Sequence, residues 1–316
     1  MPVQESHPGA AWDPEVVARV AGLGAVFLGG GDPDRLLSVL CWDLTGQRRD
    51  TPVLGAVRQV LERGGAVGGT SAGVEVLQRE VVILGGLSWN TLARGAMLES
   101  QDPDDLTYDP RGGLGLLPGP VIDAHFSEQG RQGRLLGLLG DTVEEKRGSS
   151  WGLGLDEDTA LECRGASCTV LGGPGGVWVV SIDVEVAGDR LLATTSFLTE
   201  GDILNTTDLS VTFPEWKQPV EGLGQGPTPT EAIFSPLEYL ALAEDLLLSG
   251  EVLALGQSQR RHPVILVELT KTGETRAVQG EGRVSYSGLR LTFKKFANIF
   301  VELKYWVIQH FSWTST

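Results

Sequence analysis

The sequence feature that most constrains the fold is a run of five small residues, Gly69-Thr70-Ser71-Ala72-Gly73. It matches Gly-x-Ser-x-Gly, a pattern typical of a sharp turn between a strand and a helix. Such a turn holds its central side chain in a strained, exposed position, and small neighbours are needed because backbone crowds there. The pattern predicts a nucleophile at Ser71, although a plain glycine-rich turn would also account for these five residues alone.

The residues on either side of this turn fit a strand–turn–helix unit. Apolar residues at helical spacing predict a helix from Thr51 to Arg63, which Gly64-Gly65 ends. Ala66 to Gly68 predicts a short buried strand, and an apolar helical pattern resumes at Val74. A helix that begins beside Ser71 presents free backbone N–H groups, which suit a developing oxyanion.

Four blocks of the chain resemble the serine peptidases that include cyanophycinase and aspartyl dipeptidase. In chain order the blocks are Val26 to Leu36, Gly69 to Gly73, Gly113 to Leu136 and Gly152 to Leu161. They occur in that family's order. The resemblance implies an α/β fold, a three-layer sandwich like that of the class I glutamine amidotransferases. It also implies a serine hydrolase that cleaves amide bonds through an acyl-enzyme.

The third block contains the histidine that the resemblance pairs with the serine. His125 follows a predicted strand, Val121 to Ala124, and the other histidines lie outside the four blocks. We therefore predict His125 as the general base for Ser71, with a structural histidine as the alternative. The resemblance gives the oxyanion donors as the N–H groups of Gly31 and Ala72. A tight strand-to-helix turn would equally explain Gly31.

The third member of the triad departs from the family pattern. The family places a glutamate about eighteen residues after the serine, where this chain has Ser88-Trp89-Asn90. Asn90 is the predicted substitute, because an amide can orient an imidazole. Glu80, Glu99 or a residue of Asp156-Glu157-Asp158 is the alternative. The missing acid also leaves open a weak or inactive family member that acts as a binding protein.

Substrate recognition departs from the family as well. Where cyanophycinases carry polar recognition residues, this chain has Pro33, Ala124 and Gln129. Arg131 and Arg134 are retained and predicted to bind an acidic group of the substrate. The alternative for Arg134 is that it caps its own helix or forms a salt bridge within it. We therefore expect cleavage of small or Asp-containing peptides in preference to a branched Asp–Arg polymer.

An α/β-hydrolase esterase is a further alternative. It needs a catalytic histidine late in the chain after an acid, and His262 is a poor candidate for that role.

Composition limits the other classes of function. The net charge of −16 argues against nucleic-acid binding. No apolar run of about 18 residues exists and Met1 to Asp13 lacks the features of a signal peptide, so we expect a cytoplasmic protein without a membrane span. The three cysteines are predicted to be reduced packing residues. No cofactor or metal is expected, because Gly29-Gly30-Gly31 is not a dinucleotide fingerprint and the acidic residues from Asp102 to Asp109 lack a metal-ligand spacing.

Two segments are predicted. Residues 1–207 form the peptidase-like α/β domain and residues 208–316 a small α+β appendage, which covers a sheet edge or makes a homodimer contact. The family usually carries a complete βαβ unit ahead of the first block, and that unit is expected to be missing here. Either the protein is naturally trimmed, which would expose a strand edge that must be covered, or the chain starts at an internal Met. The last two dozen residues or so are rich in lysine and aromatics and lack glycine, which predicts a frameshift or read-through tail, or else a packed amphipathic helix.

Overall fold

The computed structural model describes residues 3–44, 47–182 and 190–296. Its α-helices are α1 (Pro14–Ala21), α2 (Pro33–Leu40), α3 (Pro52–Glu62), α4 (Ala72–Glu75), α5 (Ser88–Arg94), α6 (Gln132–Thr142) and α7 (Glu238–Leu248). Two 3-10 helices span Pro8–Trp12 and Ser127–Gln129.

The strands alternate with helices at first and then follow one another. The first seven are β1 (Ala25–Leu28), β2 (Cys41–Leu44), β3 (Gln47–Asp50), β4 (Ala66–Gly69), β5 (Val82–Gly85), β6 (Thr107–Asp109) and β7 (Val121–Ala124). The next seven are β8 (Trp151–Leu155), β9 (Thr159–Arg164), β10 (Ser167–Gly172), β11 (Val177–Ile182), β12 (Arg190–Leu198), β13 (Ile203–Asn205) and β14 (Val211–Thr212). The last five are β15 (Gln218–Pro219), β16 (Leu253–Gln257), β17 (Val264–Thr270), β18 (Arg276–Gly280) and β19 (Arg283–Phe296). The α/β class is confirmed.

Helix α3 forms where the apolar spacing predicts it, and the Thr51 hydroxyl caps it by accepting the Leu54 N–H. Helix α4, in contrast, has only four residues, although the apolar pattern continues past Val74. It ends early because the Val76 and Leu77 carbonyls accept hydrogen bonds from the Leu114–Leu117 segment. Those carbonyls are therefore unavailable for another helical turn.

Two parallel strand pairs bring the four sequence blocks together. β1 pairs with β4, so Leu28 lies beside Gly69 and the Gly29–Gly31 loop meets the turn at Ser71. β7 pairs with β8, so Ala124 lies beside Leu155 and His125 meets the loop that follows Leu155. Because parallel strands end at the same edge of a sheet, each pair delivers two loops to one place.

The outer side of β1 is open. Among the described strands β1 pairs with β4 alone, and the Phe27 side chain is 69% exposed. Phe27 lies over Gly68 of the neighbouring strand, where a Cβ would come within 3.3 Å of its ring. That a βαβ unit is missing ahead of β1 stays a prediction.

One large sheet crosses the predicted boundary at residue 207. Its strand order is β15-β18-β19-β12-β11-β8-β7, and β17 joins it by pairing with both β16 and β19. β12 precedes the boundary, β19 follows it, and Leu191 pairs with Phe293. The two-segment division stays a prediction. The first four residues of the predicted foreign tail, Phe293–Phe296, complete β19, and residues 297–316 lie outside the described ranges.

The main core also spans both segments. Phe126, which follows His125, stacks on Trp178 of β11, and Trp178 meets Tyr239 of α7 edge to face. All three side chains are fully buried. Within the described residues, no helix is long and apolar enough to cross a membrane.

The prediction for the cysteines is wrong in part. Cys163 and Cys168 lie opposite each other in the β9–β10 hairpin and form a disulfide. The turn between them contains Gly165 with φ of +61°, a tight reversal that places residues five apart face to face. Cys41 is free and buried, and burial raises the pKa of its thiol to about 11.

Candidate active site

Ser71 stands at the tip of a strained turn. Its backbone has φ of 52° and ψ of −132°, a conformation that non-glycine residues rarely adopt. The flanking glycines are required sterically, because a Cβ at Gly69 would overlap the Gly73 backbone and one at Gly73 would overlap the Leu28 carbonyl. Gly30 approaches from the other side, where a Cβ would lie 2.8 Å from the Ser71 Cβ. The structure therefore has the geometry that the five-residue motif predicts.

His125 meets Ser71 directly. Its Nε2 lies 2.9 Å from the Ser71 Oγ, a hydrogen-bonding distance, although 54 residues separate the two in sequence. His125 follows β7 and has a positive φ of 48°, which turns the imidazole back toward the serine. The two residues predicted as nucleophile and base are thus brought together by the ends of β4 and β7.

Glu157 is the acid beside the histidine. Its Oε1 lies 2.8 Å from His125 Nδ1, the nitrogen that faces away from Ser71. Glu157 was among the alternatives that the sequence left open. The β7–β8 pairing brings it there, since Glu157 comes two residues after the end of β8.

Asn90, the predicted substitute for the acid, lies elsewhere. Its amide donates to the Asp105 carboxylate at 3.1 Å and accepts from Arg260 at 2.8 Å. Glu80 is buried and pairs with Arg79, while Glu99 is exposed. The structure thus places Glu157, and not Asn90, beside the His125 imidazole, since Asn90 lies on α5, which packs on α6.

Backbone hydrogen bonds to two further carboxylates fix the loop that carries Glu157. The Asp156 side chain accepts the Ser127 N–H at 2.9 Å and the Gly176 N–H at 3.2 Å. Glu128 accepts the Glu157 N–H at 3.0 Å. Burial of Asp156 raises its pKa to about 6. These bonds join the loop after β7 to the loop after β8. They therefore hold Glu157 close to the His125 imidazole.

Two backbone donors beside Ser71 are free. Within the described residues, neither the Gly31 N–H nor the Ala72 N–H has a hydrogen-bond acceptor. Gly31 has φ of +140°, outside the range that most side chains allow, and Ala72 is the residue directly after the nucleophile. Unsatisfied backbone donors next to a nucleophile are what an oxyanion would need.

Arg131 and Arg134, predicted to bind substrate, are instead paired within the protein. Arg134 donates through Nε and Nη2 to the two oxygens of Asp123, and its side chain is only 6% exposed. Arg131 donates to the same carboxylate at 3.0 Å and to the Ala124 carbonyl at 2.5 Å. The geometry is that of an internal ion pair, as in the alternative for Arg134, but the partner lies on β7 and not on the helix of Arg134.

No sequence pattern indicated that Glu75 belongs to this buried group. The Glu75 side chain lies 3.6 Å from Arg131 Nη1 and 4.0 Å from Arg134 Nη2. Its Oε1 accepts the Ala124 N–H at 3.2 Å. Burial, and next the neighbouring charge of Asp123, raise the pKa of Glu75 to about 7. Two carboxyl groups and two guanidinium groups thus lie together and bind the backbone of Ala124, the residue before His125.

The fold and this geometry define an α/β protein with a serine, a histidine and a carboxylate in hydrogen-bonded series. No family model matches the chain. The chain is 32% identical to a cyanophycinase of Nostoc sp. over 168 residues, which are 52% of this chain and 48% of that protein. It is 34% identical to the cyanophycinase of Geminocystis herdmanii over 136 residues, 43% of this chain and 41% of that protein.

A third cyanophycinase, from Thermosynechococcus vestitus, is 30% identical over 167 residues, which are 52% of this chain and 44% of that protein. The chain spans about half the length of the curated relatives it matches. These matches confirm the predicted resemblance to the cyanophycinase-like peptidase family.

Proposed function

We propose that this protein is a serine-type peptidase that hydrolyses amide bonds through an acyl-enzyme. The observation that carries the proposal is the continuous series from Ser71 Oγ to His125 Nε2 and from His125 Nδ1 to Glu157, with both bonds below 3 Å. The strained backbone at Ser71 supports it, because strain of this kind is kept where it serves a site. The similarity to cyanophycinases supports the reaction class.

In the acylation step, Ser71 Oγ attacks the carbonyl carbon of the amide while His125 Nε2 takes the hydroxyl proton. The Glu157 carboxylate accepts the Nδ1–H and stabilises the imidazolium that forms. The N–H groups of Gly31 and Ala72 donate to the oxyanion. The C–N bond then breaks as Nε2 returns the proton to the leaving amine.

Deacylation repeats the sequence with water. His125 takes a proton from a water molecule that attacks the Ser71 ester, and the oxyanion again receives the two backbone N–H groups. The proton on Nε2 passes to the Ser71 oxygen as the ester bond breaks. The products are a carboxylic acid and the regenerated serine, so no other co-reactant is needed.

The substrate class that we propose is short peptides, without a requirement for aspartate. The expectation of an acidic substrate group rested on Arg131 and Arg134, and both guanidinium groups already face the carboxylates of Asp123 and Glu75. Gln129 accepts from Arg131 at 3.1 Å and so adds to the internal network. A branched Asp–Arg polymer is therefore expected to be a poor substrate.

A serine-reactive fluorophosphonate probe tests the proposal. We expect the wild-type protein to be labelled and Ser71→Ala to be unlabelled but folded, because only a base-activated serine reacts quickly. Ser38→Ala, which removes an exposed serine on α2, is the control and should label normally. Labelling that persists in Ser71→Ala would refute the assignment of the nucleophile.

The alternative of an inactive binding protein arose from the missing acid at residues 88–90. A carboxylate, that of Glu157, does lie beside His125, so the missing acid no longer supports this alternative. A folded wild-type protein that neither reacts with the probe nor cleaves any short peptide would restore it.

A further inference from the structure

We propose that Glu75 is a positioning residue that holds His125 in reach of Ser71 through the backbone of Ala124. The inference rests on the proposed roles of Ser71 and His125. It concerns a side chain that does not contact the reacting atoms in the structure.

The backbone at His125 needs support from its neighbours. A φ of +48° is costly for a residue with a side chain, so adjacent groups must fix it. Both backbone polar groups of Ala124, the preceding residue, are bound by charged side chains. Its N–H donates to Glu75 Oε1 at 3.2 Å, and its carbonyl accepts from Arg131 Nη1 at 2.5 Å.

Glu75 also belongs to the element that begins at the nucleophile. It is the last residue of α4, and its own N–H donates to the Ser71 carbonyl at 3.2 Å. A single residue therefore connects the serine to the residue before the histidine. The 2.9 Å separation between Ser71 Oγ and His125 Nε2 depends on that connection.

The hydrogen bond, and not the charge, is the property that positions His125. The titratable groups that face Glu75 are Asp123 on β7 and Arg131 and Arg134 next to and on α6. A protonated carboxyl group still accepts the Ala124 N–H through its carbonyl oxygen. Burial raises the pKa of Glu75 to about 7, so both forms are present near neutral pH and both keep the contact.

Two variants test separately the hydrogen bond and the charge of the Glu75 side chain. Glu75→Gln keeps the length and the acceptor oxygen but removes the charge, whereas Glu75→Asp keeps the charge but shortens the side chain by one methylene. We expect Glu75→Asp to slow fluorophosphonate labelling of Ser71 at least about tenfold, because a misplacement near 1 Å can cost 10²-fold. We expect Glu75→Gln to label within about threefold of wild type, the retained bond accounting for the rest.

The readout is the second-order labelling rate from pH 5 to 9, together with kcat and KM on a short peptide. A positioning role lowers kcat in Glu75→Asp and leaves KM within about threefold. Circular dichroism confirms that each variant is folded at the assay temperature. Asp202→Asn is the matched control, since Asp202 is also buried, accepts a backbone N–H from Thr199 at 2.8 Å and pairs with a cation. It should lower stability and leave the labelling rate unchanged.

Three outcomes would overturn the inference. The first is Glu75→Asp labelling at the wild-type rate. The second is equal slowing of labelling in Glu75→Asp and Glu75→Gln. That result would mean that the hydrogen bond, which Glu75→Gln keeps, is not sufficient to position His125. The third is slowing of the same size in Asp202→Asn, which would make it a general effect of altering a buried carboxylate. Wild-type protein that shows no Ser71-dependent labelling would instead refute the proposed function itself.

Discussion

Two buried ion clusters lie in different parts of this protein and differ in what they contact. Near the site, Glu75 and Asp123 face Arg131 and Arg134. At the other end of the large sheet, the Lys217 ammonium donates to Thr199, Asp202 and Ser285 at 2.7–3.0 Å.

All three protons of Lys217 have acceptors, and these acceptors come from two separate segments of the chain, the turn that contains Thr199 and Asp202 and the strand that contains Ser285. That cluster is closed and joins the segments that it contacts. The cluster near the site instead binds the backbone directly before His125. Similar buried charges thus join segments of the fold in one region and bind the backbone beside the proposed catalytic base in the other.

The largest effect is expected from a substitution in the candidate active site that leaves both ion clusters intact. Replacing His125 with alanine removes the base from Ser71, and we expect kcat to fall about 10⁵-fold or more, as for other catalytic histidines. Steady-state hydrolysis of a short peptide measures the effect. A fall of less than tenfold would mean that another group activates Ser71.

The next largest effect tests whether Glu157 or Asn90 is the partner of His125. Glu157→Gln removes the carboxylate that we propose stabilises the imidazolium, and we expect kcat to fall about 10⁴-fold. Asn90→Ala should change kcat less than about threefold while lowering stability, since it leaves Asp105 and Arg260 without that partner. The same peptide assay, run on both variants, would contradict the reassignment if the order of the two effects were reversed.

Breaking the remote cluster should lower stability without changing the chemistry. Lys217→Met leaves Asp202 buried and unpaired, and we expect a loss of about 4 kcal/mol in the free energy of unfolding. Urea denaturation measures it, and the labelling rate of the folded fraction should equal that of wild type. The double variant Lys217→Met/Asp202→Leu should recover part of the loss, because no unpaired charge then remains.

The smallest expected effect is a change of stability with pH, which the cluster near the site should cause and the Lys217 cluster should not. In the unfolded chain Glu75 loses its proton near the ordinary value of 4.5, whereas in the folded chain its pKa is about 7. Folding therefore takes up a proton in this window. The stability that Glu75 contributes is complete below pH 4.5 and is lost as the pH rises through 7.

Asp156, with its pKa raised to about 6, adds to the same trend from its ordinary value of 3.8. Between pH 5 and 7.5 we expect the free energy of unfolding to fall by about 2 kcal/mol through Glu75 and by about 1 kcal/mol through Asp156. Glu75→Gln should flatten much of this slope in urea denaturation series. The double variant Lys217→Met/Asp202→Leu should leave the slope unchanged, because it leaves no unpaired buried carboxylate. A wild-type stability that rises across the window would contradict the buried, partly protonated state of Glu75.

Local patterns predicted the parts of the site that depend on local sterics. The Ser71 turn follows from five adjacent residues, and the strand before His125 follows from a four-residue run in which three residues are apolar. Glu157 depends on the β7–β8 pairing, which one sequence does not determine, so it remained one of several alternatives. The spacing of residues along a helix also could not predict the ion pair between Arg134 and Asp123, because Asp123 lies on a strand eleven residues earlier.

Glu75 was missed for a related reason. A glutamate in an apolar run gives no signal of the two guanidinium groups that will surround it, since they come from a segment more than fifty residues later. The Cys163–Cys168 disulfide did have a signal. Two cysteines five residues apart around Gly165 fit the two ends of a tight hairpin, and that spacing could have been tested against the register of paired strands.

The pairing of β12 with β19 has a consequence for biosynthesis. Leu191 and its partner Phe293 are separated by 102 positions in the chain. During translation β12 is made long before β19, so one side of it remains without its native neighbour while the ribosome adds these residues. The centre of the large sheet closes only when the final described strand has left the exit tunnel. Contacts this distant slow folding, and the exposed edge of β12 in the nascent chain is where we expect chaperones or self-association to compete with it.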